Sequence, residues 1–200
     1  MSNNGGLGGA TVCEACGTAV PDYDVVSCGS IEHGYRTLCT SCFNAEMARM
    51  LGLEHFEHLR FEPVVMTDCA GEQHEFHFQT RLLGELMVME AFELKAGGPS
   101  GYQFEIVGDP ADEPLSLLGR LIERMRRRLS VRYLESGEYG VQIADRAVCG
   151  RIEWDAIGDG RTPLLVIDGQ EISWDDFGRM LMTFEGWQFR LVIRDRSEEA

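Results

Sequence analysis

The stretch Glu75-Phe76-His77-Phe78-Gln79-Thr80-Arg81-Leu82 decides the architecture of most of this 200-residue chain. Every second side chain of a strand faces the same side. Phe76, Phe78 and Leu82 therefore share one face, while Glu75, His77, Gln79 and Arg81 share the other. Leu86, Val88, Phe92 and Leu94 continue the alternation, as do Tyr102, Phe104 and Ile106. Turn-forming residues separate these runs at Ala70-Gly71-Glu72, at Gly84 and at Gly97-Gly98-Pro99. An antiparallel meander between about Leu59 and Val107 is predicted, one face on a core and the other in water.

The next segment supplies a cover for the apolar face. Leu115, Leu118, Ile122, Met125, Leu129 and Tyr133 recur at helical spacing, Pro114 suits a first helical turn, and Asp112 and Glu113 suit the positive end of the helix dipole. Further on, Leu164 to Ile167 reads as a strand and Asp168-Gly169 as a tight turn. Ser173 caps a short helix with Asp176 three residues on, and Trp174, Phe177, Leu181 and Phe184 form its buried stripe. After Glu185-Gly186, the alternating Trp187, Phe189, Leu191 and Ile193 predict a final strand. The expected fold class is α+β: a small N-terminal metal module, then an antiparallel-sheet body packed against a long helix and a shorter C-terminal helix.

The module is marked by its cysteines. Cys13-Glu14-Ala15-Cys16 and Cys39-Thr40-Ser41-Cys42 each place two sulfurs where they converge on one ion, and a tetrahedral zinc takes four such ligands. Between the pairs, Val25-Val26, a turn around Gly29-Ser30 and Tyr35 to Leu38 read as a hairpin, and Phe43 to Leu51 is rich in helix formers. A knuckle, a hairpin and a second pair whose last cysteine opens a helix resemble a treble-clef zinc finger, over about the first 50 residues. That resemblance implies one structural Zn2+ on Cys13, Cys16, Cys39 and Cys42, and nothing about partners. A thioredoxin-type redox pair is the alternative, without the surrounding βαβ pattern it needs. Cys28 and His33, between the pairs, could replace a ligand and read more simply as a hairpin cysteine and a surface histidine. Cys69 and Cys149 read as small buried filler.

The predicted organisation is a flexible tail over residues 1–11, a metal-binding module over 12–54 and a body over 57–200, with a sub-boundary near 136–138. The opening residues have no basic start and no apolar run, so they read as a tail and not a signal peptide. No stretch reaches the roughly 20 apolar residues that span a bilayer. An odd count of seven cysteines, four of them in two close pairs, favours a reducing compartment, and the cytoplasm is the expected location. Acidic residues outnumber basic ones 33 to 18, and the excess is spread along the chain. A net charge of -15 repels nucleic-acid phosphates.

Several side-chain groups compete for a functional role. His55, His58, His74 and His77 lie close in sequence with Asp68 and Cys69 among them, a conceivable second metal set, although His77 shares its face with polar residues and points to solvent. Arg120, Arg124, Arg126, Arg127, Arg128 and Arg132 lie on the long helix, as a phosphate or acidic-partner site or as a solvated face. Asp155, Asp159, Asp168, Asp175 and Asp176 sit at turns and a helix start, where aspartate is used for local hydrogen bonding. Trp154, Trp174 and Trp187 read as core or edge anchors, and Gly158-Asp159-Gly160 as a turn. Ile167 to Leu181, with Trp187-Gln188-Phe189, resembles uncharacterised bacterial proteins, which implies no activity. The expectation is a non-catalytic zinc protein that serves as an interaction or adaptor protein with a protein partner. The alternatives are an enzyme using His and Asp residues of the body, and a nucleic-acid-associated protein using the arginine helix or the zinc module.

Overall fold

The computed structural model describes residues 10–32, 34–54, 56–138, 140–155 and 160–198. The fold is α+β, built from antiparallel pairs throughout its described residues. Most of the predicted tail, His33, His55 and Asp159 lie outside the described residues.

The first unit begins with β1 (Ala10–Val12) paired to β2 (Ala19–Pro21). A 3-10 turn at Asp22–Asp24 leads into β3 (Val25–Ser30), which pairs with β4 (Gly34–Cys39). Helix α1 (Thr40–Leu51) starts directly after Cys39, whose extended backbone (φ -72°, ψ 156°) makes it the N-cap. It stops at Gly52, where φ of 70° places the chain in the left-handed conformation that glycine adopts without a Cβ clash. Cys13, Val20, Leu38, Cys39 and Phe43 close a small core of their own.

The meander is a four-stranded sheet in the order β5 (Val64–Thr67), β6 (Gln73–Leu83), β7 (Leu86–Lys95), β8 (Gly98–Gly108). Helix α2 (Pro114–Leu129) lies across one face. Phe76, Leu82, Met87, Met89, Ala91, Phe104 and Ile106 of the sheet meet Leu117, Leu121, Met125 and Leu129 of the helix, all buried. At about 25 cal/mol per Å² of apolar surface, each leucine so buried contributes roughly 2 kcal/mol.

Two expectations for this sheet are corrected. The β7 residues on the helix-covered face are Met87, Met89 and Ala91, so the sequence-based phase through Leu86, Val88, Phe92 and Leu94 is one residue out. The reason is that β7 is apolar in both phases, with Val88 and Phe92 buried as well. Nor is the opposite face wholly wet. Gln79 is buried, and the Tyr23 ring meets Phe92 edge-on and lies against His77, which itself stacks on Phe92. The helix stripe is also rotated: Leu117 and Leu121 are buried at its centre, Leu118 and Ile122 flank it, Leu115 is exposed, and Tyr133 lies beyond the last turn.

The C-terminal unit comprises β9 (Leu134–Gly137), β10 (Gly140–Ile143), β11 (Gly150–Trp154), β12 (Pro163–Ile167), β13 (Gln170–Ser173) and α3 (Trp174–Leu181). Strands β9 and β10 pair with each other, and β11, β12 and β13 form a three-stranded sheet. Asp168 and Gly169 both have positive φ (50° and 71°), as the two-residue hairpin between β12 and β13 requires. Leu134, Leu165, Ile167, Ile172 and Met180 form the core. In α3, Met180 is the buried residue and Phe177 packs beside it, while Trp174 and Leu181 are largely exposed, which corrects the predicted stripe. A helix laid against a small three-stranded sheet needs only a narrow apolar contact. The predicted final strand does not form: residues 187–195 adopt no regular secondary structure and Phe189 is 91% exposed. A strand needs a neighbour to satisfy its ladder, and no pairing reaches this segment among the described residues. Trp154, Trp174 and Trp187 are all exposed, so none is a core anchor.

Side chains, more than shared strands, join the units. Strand β5 covers only Gln73 to Phe76 of β6, leaving the backbone edge beyond it open. Asn44 of α1 takes the place of a strand there: its Nδ2 donates to the Thr80 carbonyl (2.7 Å) and its Oδ1 accepts from the Leu82 amide (2.9 Å). Its Nδ2 also bonds His58 Nδ1 at 2.9 Å. Gln79 reaches the other way, donating to the Tyr23 carbonyl and to Thr40 Oγ1. On the C-terminal side, Arg124 donates to the carbonyls of Glu105, Arg196, Ser197 and Glu198, and Arg128 donates to the Cys149 carbonyl while covering the Tyr133 ring. Asp168 Oδ2 accepts from the amides of Tyr133 and Leu134.

Candidate metal centre

The two cysteine pairs meet because backbone bonds tie the β1–β2 knuckle to β4. The Cys13 amide donates to the Thr18 carbonyl and the Gly17 amide to the Cys13 carbonyl, curling the knuckle into a tight turn with Gly17 at φ 71°. The Glu14 amide donates to the Thr37 carbonyl, and the Thr37 amide returns a bond to Glu14 Oε1 at 2.8 Å. This reciprocal pair sets Cys13 and Cys16 beside the end of β4 and the first turn of α1, which carry Cys39 and Cys42.

The four sulfurs lie within 4.8 Å of one another, with Cys16 Sγ 4.0 Å from Cys39 Sγ. A tetrahedral ion with metal–sulfur bonds of about 2.3 Å places its sulfurs about 3.8 Å apart, so the arrangement fits a metal ion without rebuilding the backbone. Cys13 and Cys39 are buried, Cys42 is half-buried and Cys16 is exposed.

The electrostatics of the four thiols differ. The Cys39 backbone amide aims at Cys13, opposed by burial and aided by the amides of Cys16 and Ala15, and lowers its thiol to about 6. The Thr18 hydroxyl and amide lower Cys16. Burial pushes Cys39 up. It pushes Cys42 up further, reinforced by the three neighbouring sulfurs. Two thiols shifted down and two shifted up are what such a cluster shows without positive charge, since four thiolates at this spacing repel. A dication would reverse the crowding and ionise all four. The first turn of α1 adds the positive end of a helix dipole at Cys42.

Cys28 is half-buried on β3, packs against the module core and stands opposite Arg36, outside the sulfur group. Cys69 is exposed and Cys149 half-buried, so neither is the buried filler expected. Among the described residues, His58, His74 and His77 do not converge as a set. His58 is turned to Asn44, and His77 contacts Glu75 and the Phe92 ring. Contrary to expectation, the His77 side chain is mostly sheltered from solvent, because the 3-10 turn of the module covers it. His74 comes together with the carboxylates of Asp68 and Glu72, a three-residue group among the described residues. Of the late aspartates, Asp168 reaches back 34 and 35 positions to hold the start of β9, not a local bond as expected, and Asp176 gives its amide to the Ser173 cap of α3.

Sequence reasoning missed Asn44 and Gln79, which fasten the cysteine module to the sheet. A signal was present. An asparagine among strong helix formers in the middle of α1 costs helix stability unless its side chain is used elsewhere.

Three family models match successive stretches of the chain, and each is described as a domain of unknown function: DUF7685 over residues 12–54, DUF7686 over residues 57–130 and DUF7713 over residues 133–198. Neither a curated protein nor a solved structure gives a significant match.

Proposed function

We propose that this chain is a non-catalytic zinc protein whose cysteine module carries one structural Zn2+, and whose body serves as an interaction or adaptor surface for another protein. The observation that carries the reading is the sulfur tetrad itself. Four ligands from the chain complete a tetrahedral shell and leave no position for substrate, as structural zinc sites do and catalytic ones do not. The order of knuckle, hairpin and helix around it supports a treble-clef arrangement. Asn44, two residues after Cys42, fastens the helix that would carry the metal to the sheet edge, so the metal would stiffen the body as well as the module.

The adaptor half of the reading is supported by Trp187, Phe189, Leu191, Val192 and Ile193, five exposed apolar side chains within one short segment. Large apolar side chains left in water this densely are what a binding segment offers a partner. Nucleic acid is a poorer partner, because the chain carries a charge of -15 and both Arg124 and Arg128 are engaged by backbone carbonyls. No helix among the described residues is long and apolar enough to cross a membrane.

Metal analysis of purified protein should find one zinc per chain held by thiolates, and a Cys39→Ser/Cys42→Ser variant should retain none. Affinity capture with the native chain and with a Phe189→Asp/Leu191→Asp variant should show specific proteins retained by the first and lost by the second. Full zinc in the cysteine variant would refute the metal half. Identical capture by the two chains would refute the adaptor half.

A further inference from the structure

A second group of metal-ligating atoms lies at the turn between β5 and β6, separate from the sulfur tetrad. Asp68, Glu72 and His74 each offer one ligand atom, and these lie within 4.8 Å of one another. Asp68 and His74 are the inner members, their side chains 7% and 12% exposed, whereas Glu72 is 61% exposed and forms the mouth.

The orientation of His74 is the observation that distinguishes this group from a chance cluster. Its Nδ1 lies 2.8 Å from Glu93 Oε1, and a carboxylate accepts, so Nδ1 is the donor. The other ring nitrogen, Nε2, is buried and has no hydrogen-bond partner. It faces Asp68 Oδ2 at 3.7 Å, too long for a hydrogen bond. A buried nitrogen lone pair opposite a buried carboxylate oxygen is a costly arrangement unless something positive lies between them. Tetrahedral metal bonds of about 2.0–2.1 Å put neighbouring N and O ligands about 3.3–3.5 Å apart, close to the spacing seen.

The surroundings hold these ligands in place. Asp68 Oδ1 accepts from the amides of Ala70 and Glu72, which fixes the carboxylate and leaves Oδ2 toward His74. Glu93 is held in turn by the Tyr102 amide on its Oε2 at 2.7 Å. That bond exists because the β7–β8 ladder is bulged after Phe92, and because Gly101, at φ 56°, has no Cβ to strike the Glu93 carboxylate. A bulge that aims one carboxylate at a histidine, whose far nitrogen then faces the Asp68 carboxylate, reproduces the outer shell of histidine metal sites.

We infer that Asp68, Glu72 and His74 bind a second divalent cation, of the borderline class that imidazole and carboxylates take together, with Zn2+ the foremost member. Three protein ligands leave a coordination position for water or a ligand oxygen, unlike the closed sulfur tetrad. Arg132, 3.9 Å from Glu72 Oε1, is a weak competitor for the outermost ligand.

The test is calorimetric titration of Zn2+ into protein whose cysteine site is already filled, at pH 7.5. The native chain should bind one further Zn2+, Glu72→Gln should weaken it at least tenfold, and His74→Gln should abolish it. Glu93→Gln, which removes only the outer bond, should weaken it about 10- to 100-fold. Glu72 is exposed, so its variant keeps the fold even if the inner ones do not, and circular dichroism checks each. No uptake beyond the first zinc would overturn the proposal. Native affinity in Glu72→Gln would overturn the ligand set.

Discussion

Replacing Asn44 with alanine probes the joint on which the proposed stiffening role of the cysteine module depends. The side chain is 0% exposed and makes three bonds, to the Thr80 carbonyl, the Leu82 amide and His58. Losing them strands a buried carbonyl and a buried amide, each costing about 1–3 kcal/mol, while alanine in mid-helix returns about 0.5 kcal/mol. The net loss is about 3 kcal/mol, and at 2–4 °C per kcal/mol for a chain of this size the melting temperature should fall by about 6–12 °C. The assay is urea denaturation of zinc-loaded protein, followed in parallel by far-ultraviolet circular dichroism and by zinc release to a chromogenic chelator. The native chain should show coincident transitions, and the variant should release zinc at lower urea than it loses its sheet. Asn44→Asp is the companion, since it keeps the acceptor for Leu82 but sets a second oxygen against the Thr80 carbonyl. At pH 8 it should be at least as damaging as alanine. A fall of under about 2 °C in the alanine variant's thermal melt, followed by circular dichroism, or a milder effect in the aspartate one, would refute the reasoning.

Three other outcomes are expected. Leu121→Ala, at the wholly buried centre of the α2 stripe, should cost about 2–5 kcal/mol in chemical denaturation, whereas Leu115→Ala, on the exposed side, should cost under about 0.5 kcal/mol. Ser173→Ala removes the hydroxyl that accepts from the Asp176 amide and should cost about 1 kcal/mol, measured the same way. Burial, with Arg60 nearby, holds His58 below the usual histidine range, so the unfolded chain takes up its proton first. Stability from this residue is therefore present above about pH 6.5 and is lost as pH falls from there through the lower folded value. Melting curves between pH 7.5 and 5 should show the native chain losing more than His58→Gln, and parallel losses would refute the assignment.

Much of this architecture could be read along the chain. The cysteine spacing, the apolar face of β6, the Pro114 helix start, the Asp168-Gly169 hairpin and the Ser173 cap are all encoded within a few residues, because each depends on local geometry and local hydrogen bonds. The same locality misleads where two surfaces compete. Strand β7 is apolar in both phases, and only the packing of α2 on one side and Tyr23 on the other selects the residues that face the helix. The run from Trp187 to Ile193 has a strand's alternation and no strand beside it, and alternation supplies no partner.

By itself, then, the order of residues determined an α+β chain with a four-cysteine module at its start. Tertiary structure alone decided that Asn44 and Gln79 bind the module to the sheet and that His74 meets Asp68, Glu72 and Glu93. These are contacts between residues on separate elements, 19 to 39 positions apart for the Glu93, Asn44–Thr80 and Gln79–Thr40 bonds. A polar side chain's partner at that distance is set by which backbone edge or bulge the fold brings beside it, and no periodicity in the chain carries that information.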